Sequence, residues 1–209
     1  MPTCLYCDED LYKHTSLLHF LGNDCLCLDC RQKMRPKEIN FHLEGLKIKS
    51  LYPYDSEFKS MLIGYKEGLD EALYPLFLRP YLTYLRLIYH GFSITTIPSS
   101  RSKLAFRGFD HMKLVVSELK LPYIETMRSL KDINQSQKNY RERKKMRHNF
   151  ELVNHNLPKK LLIVDDVITS GASLLGAYDI LRPHVSKIEA LALSYSSNWE
   201  SSHKINTNV

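Results

Sequence analysis

The sequence predicts an α/β fold, a mainly parallel sheet flanked by helices, with a small cysteine-bearing module in front of it. Three observations carry this. Helical patterns alternate with short apolar runs from about residue 46 onward, the order that builds a parallel sheet with helices on its faces. All five cysteines fall within the first thirty residues (Cys4, Cys7, Cys25, Cys27, Cys30). A strand–turn–helix pattern spans Leu161 to Ser173. The 209 residues suit one ordinary domain plus an accessory unit. We expect a four-cysteine metal-binding module over 1–45 and the α/β domain over 46–209.

Taken in order, Leu46 to Tyr54 reads as a short strand closing on Pro53. Asp55 is a plausible N-cap for a helix with Phe58, Met61, Leu62 and Tyr65 on one face, stopped by Gly68. A second helical region, 70–89, is interrupted by Pro75 and Pro80, because proline removes a donor and clashes with the preceding turn. Phe92 to Ile97 is a β-rich run feeding a loop at Pro98. His111 to Leu119 reads as helix and Tyr123 to Met127 as a short strand. Leu161 to Val164 reads as a buried strand, Ala172 to Leu181 as a helix, and Ile188 to Tyr195 as a last strand.

The thiols Cys4-x2-Cys7 and Cys27-x2-Cys30 form two knuckles separated by nineteen residues. Two knuckles at this spacing supply four thiolates to one tetrahedral ion, as in a zinc ribbon. A fragment of ~40 residues seldom folds on its own core, which a metal remedies. Four thiolates leave no position for water, so the Zn2+ expected here is structural. Cys25 is the spare, although it offers an alternative to Cys27.

The stretch Leu161 to Ser173 is the most informative. Four apolar residues lead into two acids, Asp165 and Asp166, and then, past Val167 and Ile168, into Thr169, Ser170, Gly171, Ala172 and Ser173. Adjacent carboxylates are costly to bury and are expected at a sheet edge facing a ligand. A turn of small residues opening a helix aims backbone N–H groups at one anion, with the positive helix end behind it. The acids suit the hydroxyls of a diol, and the turn suits a phosphate.

At all thirteen positions this stretch resembles the signature of type I phosphoribosyltransferases. The resemblance implies that Asp165 and Asp166 hold the ribose hydroxyls of phosphoribosyl pyrophosphate (PRPP) and that residues 169 to 173 hold its 5′-phosphate. With the cysteine knuckles ahead of it, the chain from Cys4 to about Tyr195 resembles the ComF family of competence-associated, amidophosphoribosyltransferase-like proteins. Supporting residues are Ser99, Ser100 and Arg101 after Pro98, where the family places its pyrophosphate-side loop, and Arg107-Gly108-Phe109-Asp110-His111 opening a helix. A block of Gln135, Arg143 and Asn149-Phe150 follows. The resemblance implies a type I phosphoribosyltransferase-like sheet, Mg2+ accompanying PRPP, and a role in natural transformation. That role is the handling of incoming single-stranded DNA, with DNA-uptake or helicase proteins as partners.

Charge points to a place for the DNA. Between Arg128 and His148 eight cations oppose Asp132 and Glu142; eight less two leaves six, the charge of the whole chain. Within it, Lys138, Tyr140, Arg141, Arg143, Lys144, Lys145 and Arg147 combine cations with an aromatic platform, the pairing that binds single strands. The bland alternative is a solvated charged loop. Met1-Pro2-Thr3 shows no signal-peptide pattern, and prolines and arginines break the longest apolar run, Leu73 to Ile88. The expectation is a cytoplasmic protein without a membrane span, any attachment to the inner membrane face being made through partners. Two further readings stay open: a metabolic phosphoribosyltransferase with an unassigned acceptor, and a PRPP sensor. No segment reads a nucleobase, and Cys4 does not stand where a glutaminase nucleophile would.

Overall fold

A computed structural model describes residues 3–11, 25–130 and 149–196. Its main sheet has five strands in the order β1-β2-β7-β6-β3. The antiparallel pair β1 (Ile39–Leu43) and β2 (Leu46–Pro53) turns through Glu44 and Gly45, both at positive φ. Such a two-residue turn matches the twist of the strands it joins. The other contacts are all parallel: β2 with β7 (Lys187–Tyr195), β7 with β6 (Lys160–Ile168), and β6 with β3 (Ser93–Thr96). The sheet is therefore mainly parallel, as the alternation of elements predicts. At the open edge of β3, the Ile94 N–H donates to Pro122 O, and the Ile124 N–H donates to Ile94 O. The 122–124 segment covers that edge, as exposed edges require.

One face of the sheet carries most of the helices. α1 (Leu28–Met34) and α2 (Ser56–Lys66) come first, then two 3-10 turns, Glu71–Phe77 and Arg79–Tyr81, and α3 (Leu82–Ile88). The expected cap is present: Asp55 Oδ1 accepts from the Phe58 N–H at 2.9 Å. Phe58, Met61, Leu62 and Tyr65 are all buried on one face of α2. Proline has the anticipated effect over 70–89, replacing one long helix by the two 3-10 turns and a short α-helix. α4 (Arg101–Arg107) buries none of its residues, whereas α5 (His111–Ser117) buries His111, Met112, Val115 and Val116. On the opposite face, α6 (Ala172–Leu181) packs Leu174, Ala177 and Leu181 against Leu161, Ile163, Ala190 and Ala192. A two-stranded ribbon, β4 (Met127–Ser129) with β5 (Phe150–Leu152), adds Met127 and Phe150 to that core.

Four elements differ from expectation. The strand expected over 161–164 continues through both acids to Ile168, because β7 goes on pairing with it to Tyr195. Tyr123 makes only an isolated bridge to Ile94, and strand structure starts at Met127. α4 arises where the sequence suggested a loop. β1, on the cysteine side of the division at residue 45, is an edge strand of the main sheet. The cysteine segment also shares that sheet's core, for Cys4, Cys25, Cys30 and Met34 are continuous with Leu51, Phe58 and Tyr65. Among the described residues, no helix is long and apolar enough to cross a bilayer.

Candidate functional site

Topology places the site. β3 stays beside β6 as far as Thr96 opposite Val164, where the Ile97 N–H still donates to Val164 O. Past that point β6 keeps β7 on one side only, and this is where Asp165 and Asp166 stand. Two acids are tolerated there because one side of the ladder has ended.

Asp165, Val167 and Ile168, with the turn Thr169-Ser170-Gly171 and Ala172 and Ser173, line a shallow recess open to solvent. Gly171 caps α6 in the left-handed region (φ 73°). The Ala172 N–H donates to Ser170 Oγ at 3.4 Å, and Gly171 has no side chain with which to cap the rest of the first turn, an arrangement that leaves helix-start N–H groups available to an anion. Thr169 and Ser170 are exposed at the rim, with Ser173 half-buried. Residues 165 and 167–173, picked out from sequence, are brought together at one surface.

Asp166 faces elsewhere. Its Oδ1 accepts from the Val167 N–H at 2.6 Å, and its Oδ2 accepts from Lys66 Nζ and from His111 Nε2, the latter at 3.1 Å. Arg107 Nη1 lies 2.8 Å from His111 Nδ1. A guanidinium can only donate, so Nδ1 accepts and the imidazole proton sits on Nε2, aimed at Asp166. Arg107 Nε donates to Lys66 O at 3.1 Å, which closes a ring Lys66–Asp166–His111–Arg107. The Tyr65 hydroxyl donates to His111 O at 2.6 Å. Burial works to raise the Asp166 pKa, but the His111 hydrogen bond and the Lys66 charge outweigh it and hold this carboxyl well below the usual range. Burial lowers the pKa of His111, and only partly does Asp166 oppose it. The histidine is a neutral member of the ring.

From sequence, His111 had no visible orienting partner; the fold supplies two. Lys66 carried no signal, since it stands a hundred positions from Asp166. Ser99, Ser100 and Arg101 follow β3, on the sheet edge where the recess lies, but are not among its lining residues. The Ser100 hydroxyl caps α4 through the Lys103 N–H at 3.4 Å. Lys138, Tyr140, Arg141, Arg143, Lys144, Lys145 and Arg147 lie outside the described residues, as does Gln135.

The four knuckle cysteines converge. The sulfurs of Cys4, Cys7, Cys27 and Cys30 lie within 4.8 Å of one another, with Cys7 and Cys27 at 3.7 Å. A tetrahedral ion with Zn–S bonds of ~2.3 Å would set its sulfurs ~3.8 Å apart, so the donor set fits a metal such as zinc. Cys27 also N-caps α1, its sulfur accepting from the Cys30 N–H at 3.5 Å, which ties the second knuckle to the helix start. Cys25 does not join the cluster. It is buried, and burial pushes its thiol up to about 11.

No protein-family model matches the chain. The chain is 24% identical over 197 residues to competence protein ComFC of Streptococcus pneumoniae, a match covering 82% of this chain and 89% of that protein. It is similar to ComFC along most of its length. The resemblance read from the phosphate loop and the knuckles thus meets a ComFC relative along most of the chain. Among solved structures, hypoxanthine phosphoribosyltransferase from Staphylococcus aureus matches at 12% identity and a TM-score of 0.40. That match covers 62% of this chain and 66% of the enzyme, just under two thirds of its length. The hypoxanthine-guanine enzyme of Bacillus anthracis matches at 13% identity and a TM-score of 0.39, over 62% of this chain and 70% of that one.

Proposed function

We propose that this chain serves natural transformation, binding PRPP at the β6–α6 recess and handling incoming single-stranded DNA. The observation that carries the first part is the recess itself: a carboxylate, two exposed hydroxyls and a glycine-capped helix start around one opening. In this reading the turn 169–173 takes the 5′-phosphate, and Asp165 accepts from the ribose hydroxyls. Ser99, Ser100 and Arg101 lie toward the pyrophosphate. Mg2+ would neutralise the pyrophosphate, and Asp165 offers the hard oxygen donor such an ion takes. The four thiolates hold Zn2+ as a structural ion.

The second part draws on the ComFC relationship and on the basic segment. Lys138, Arg141, Arg143, Lys144, Lys145 and Arg147 would follow the phosphates while Tyr140 stacks on a base. The protein would act in the cytoplasm beside DNA-uptake or helicase partners.

Two measurements test this. Titration calorimetry with PRPP and Mg2+ should show binding that Asp165→Asn abolishes without lowering the melting temperature; equal affinity in the variant would reject the site. Affinity for an oligo-dT strand should fall steeply with salt, by a slope of about −0.7 per phosphate contacted. Changing Arg141, Arg143, Lys144 and Lys145 to Gln should flatten that slope, and an unaltered slope would remove the segment from the DNA interface.

A further inference from the structure

No side chain of α4 belongs to either hydrophobic core, and Arg101 through Phe106 are all exposed. Polar contacts at its ends hold the helix instead. The Ser100 hydroxyl caps its start, and Gly108 in the left-handed region closes it. Arg107 donates to Lys66 O and lies against His111. The helix is thus fixed in orientation while its outer face stays open, which lowers the ordering cost of binding there.

On that face stands Phe106, 75% exposed. The other phenylalanines among the described residues are buried, or half-buried at Phe109, so the fold keeps this one ring out. Lys103, also exposed, precedes it by three positions and shares its side of the helix. α4 contains no acid. A protein partner calls for a contiguous apolar patch with charge depleted at its centre. Leu104, the other large exposed apolar side chain of α4, is two positions from Phe106 and does not face the same way. One ring beside one cation, on a helix without carboxylates, suits a nucleobase and its phosphate.

The location agrees. α4 follows β3 and so rises from the carboxyl edge of the sheet. The 122–124 segment runs parallel to β3 through the Ile94–Tyr123 bridge, and Thr126 Oγ1 lies 2.9 Å from Thr95 Oγ1. The chain therefore heads for that same edge as it enters the β4–β5 ribbon, which closes with the Leu130 N–H donating to Asn149 O at 2.8 Å. Those two residues bracket the basic segment. We propose that α4 is a contact for single-stranded DNA, with Phe106 stacking on a base and Lys103 pairing with the adjoining phosphate. This rests on the single-strand reading above and adds a surface separate from residues 138–147.

Affinity for an oligo-dT strand, followed by anisotropy, decides it. Phe106→Ala should weaken binding about fivefold or more, the size of one base–aromatic stack, with the salt slope kept. Lys103→Gln should instead reduce the slope by about 0.7, for one phosphate of a single strand. A duplex of equal length keeps its bases stacked inside, so Phe106→Ala should leave duplex affinity as it was. Because both side chains are exposed, both variants should melt with the wild type. Phe106→Trp should retain the affinity, and the emission it adds to that of Trp199 should be quenched by oligo-dT. Unchanged oligo-dT affinity in Phe106→Ala would assign the ring to a protein contact and overturn the proposal. An equal loss on duplex, or no quench in Phe106→Trp, would overturn it too. Wild-type protein that binds no oligo-dT rejects the single-strand reading itself, and this surface with it.

Discussion

His111 shows what a single side chain can report. Its Nδ1 accepts from Arg107 and its Nε2 proton points at Asp166, so protonation would set a new N–H against a guanidinium. Burial already lowers its pKa below the ordinary 6.5. The unfolded chain therefore takes up this proton near pH 6.5, before the folded chain does, and stability falls as pH drops below that value. Asp166, held low, acts in the same direction further into acid: its contribution is complete above about 3.8 and is lost below it. We expect the urea midpoint to decline from pH 6.5 toward 5, and His111→Gln to flatten that part of the curve. Parallel curves for the two proteins would show that this imidazole does not control the slope. As an isolated histidine in the sequence it gave no such indication, since both partners arrive from other elements.

At the scale of elements, β6, the turn and α6 form one device with Gly171 as its pivot. At a φ of 73° an alanine is strained, at a cost of roughly 1 kcal/mol. Gly171→Ala should lower the melting temperature modestly and weaken PRPP binding by more than that strain implies, because the first-turn N–H groups lose their aim. Calorimetry on the variant checks this, and wild-type affinity would mean that the helix start is not the phosphate seat. α2 was legible in sequence because an N-cap, an apolar stripe and a glycine stop are local signals. α4 was not. Nothing in it is buried, so periodicity gave no cue, and it is defined by the Ser100 cap and the left-handed Gly108 that ends it. β1 alternates buried and exposed residues in a short run that hid beside the cysteines. The final four residues of β6 were unforeseen, because only pairing with β7 keeps them extended.

Across the whole molecule, the cysteine cluster and the α/β core are one body of packing. Cys4 and Cys30 belong to the same cluster of buried residues as Phe58, Met61 and Tyr65. Stripping the metal should therefore destabilise the entire chain in one cooperative transition, lowering the melting temperature by about 2–4 °C for each kcal/mol lost. Differential scanning calorimetry before and after chelation tests this; two separate transitions would show an independent module, and protein without stoichiometric zinc would refute the ion assignment. Changing Cys25 to Ala should leave metal content intact, since its sulfur is outside the cluster.

The sequence by itself determined the patterns that are written contiguously: the thirteen residues from Leu161 to Ser173, the two cysteine knuckles and the basic segment, whose reading depends on neighbours a few positions away. Tertiary structure alone decided what each member faces. It separated Asp165 from Asp166, chose Cys27 over Cys25, and gave Lys66, Arg107 and His111 a common partner. Those outcomes depend on where strands and helices from distant parts of the chain meet, and no local spacing encodes such a meeting.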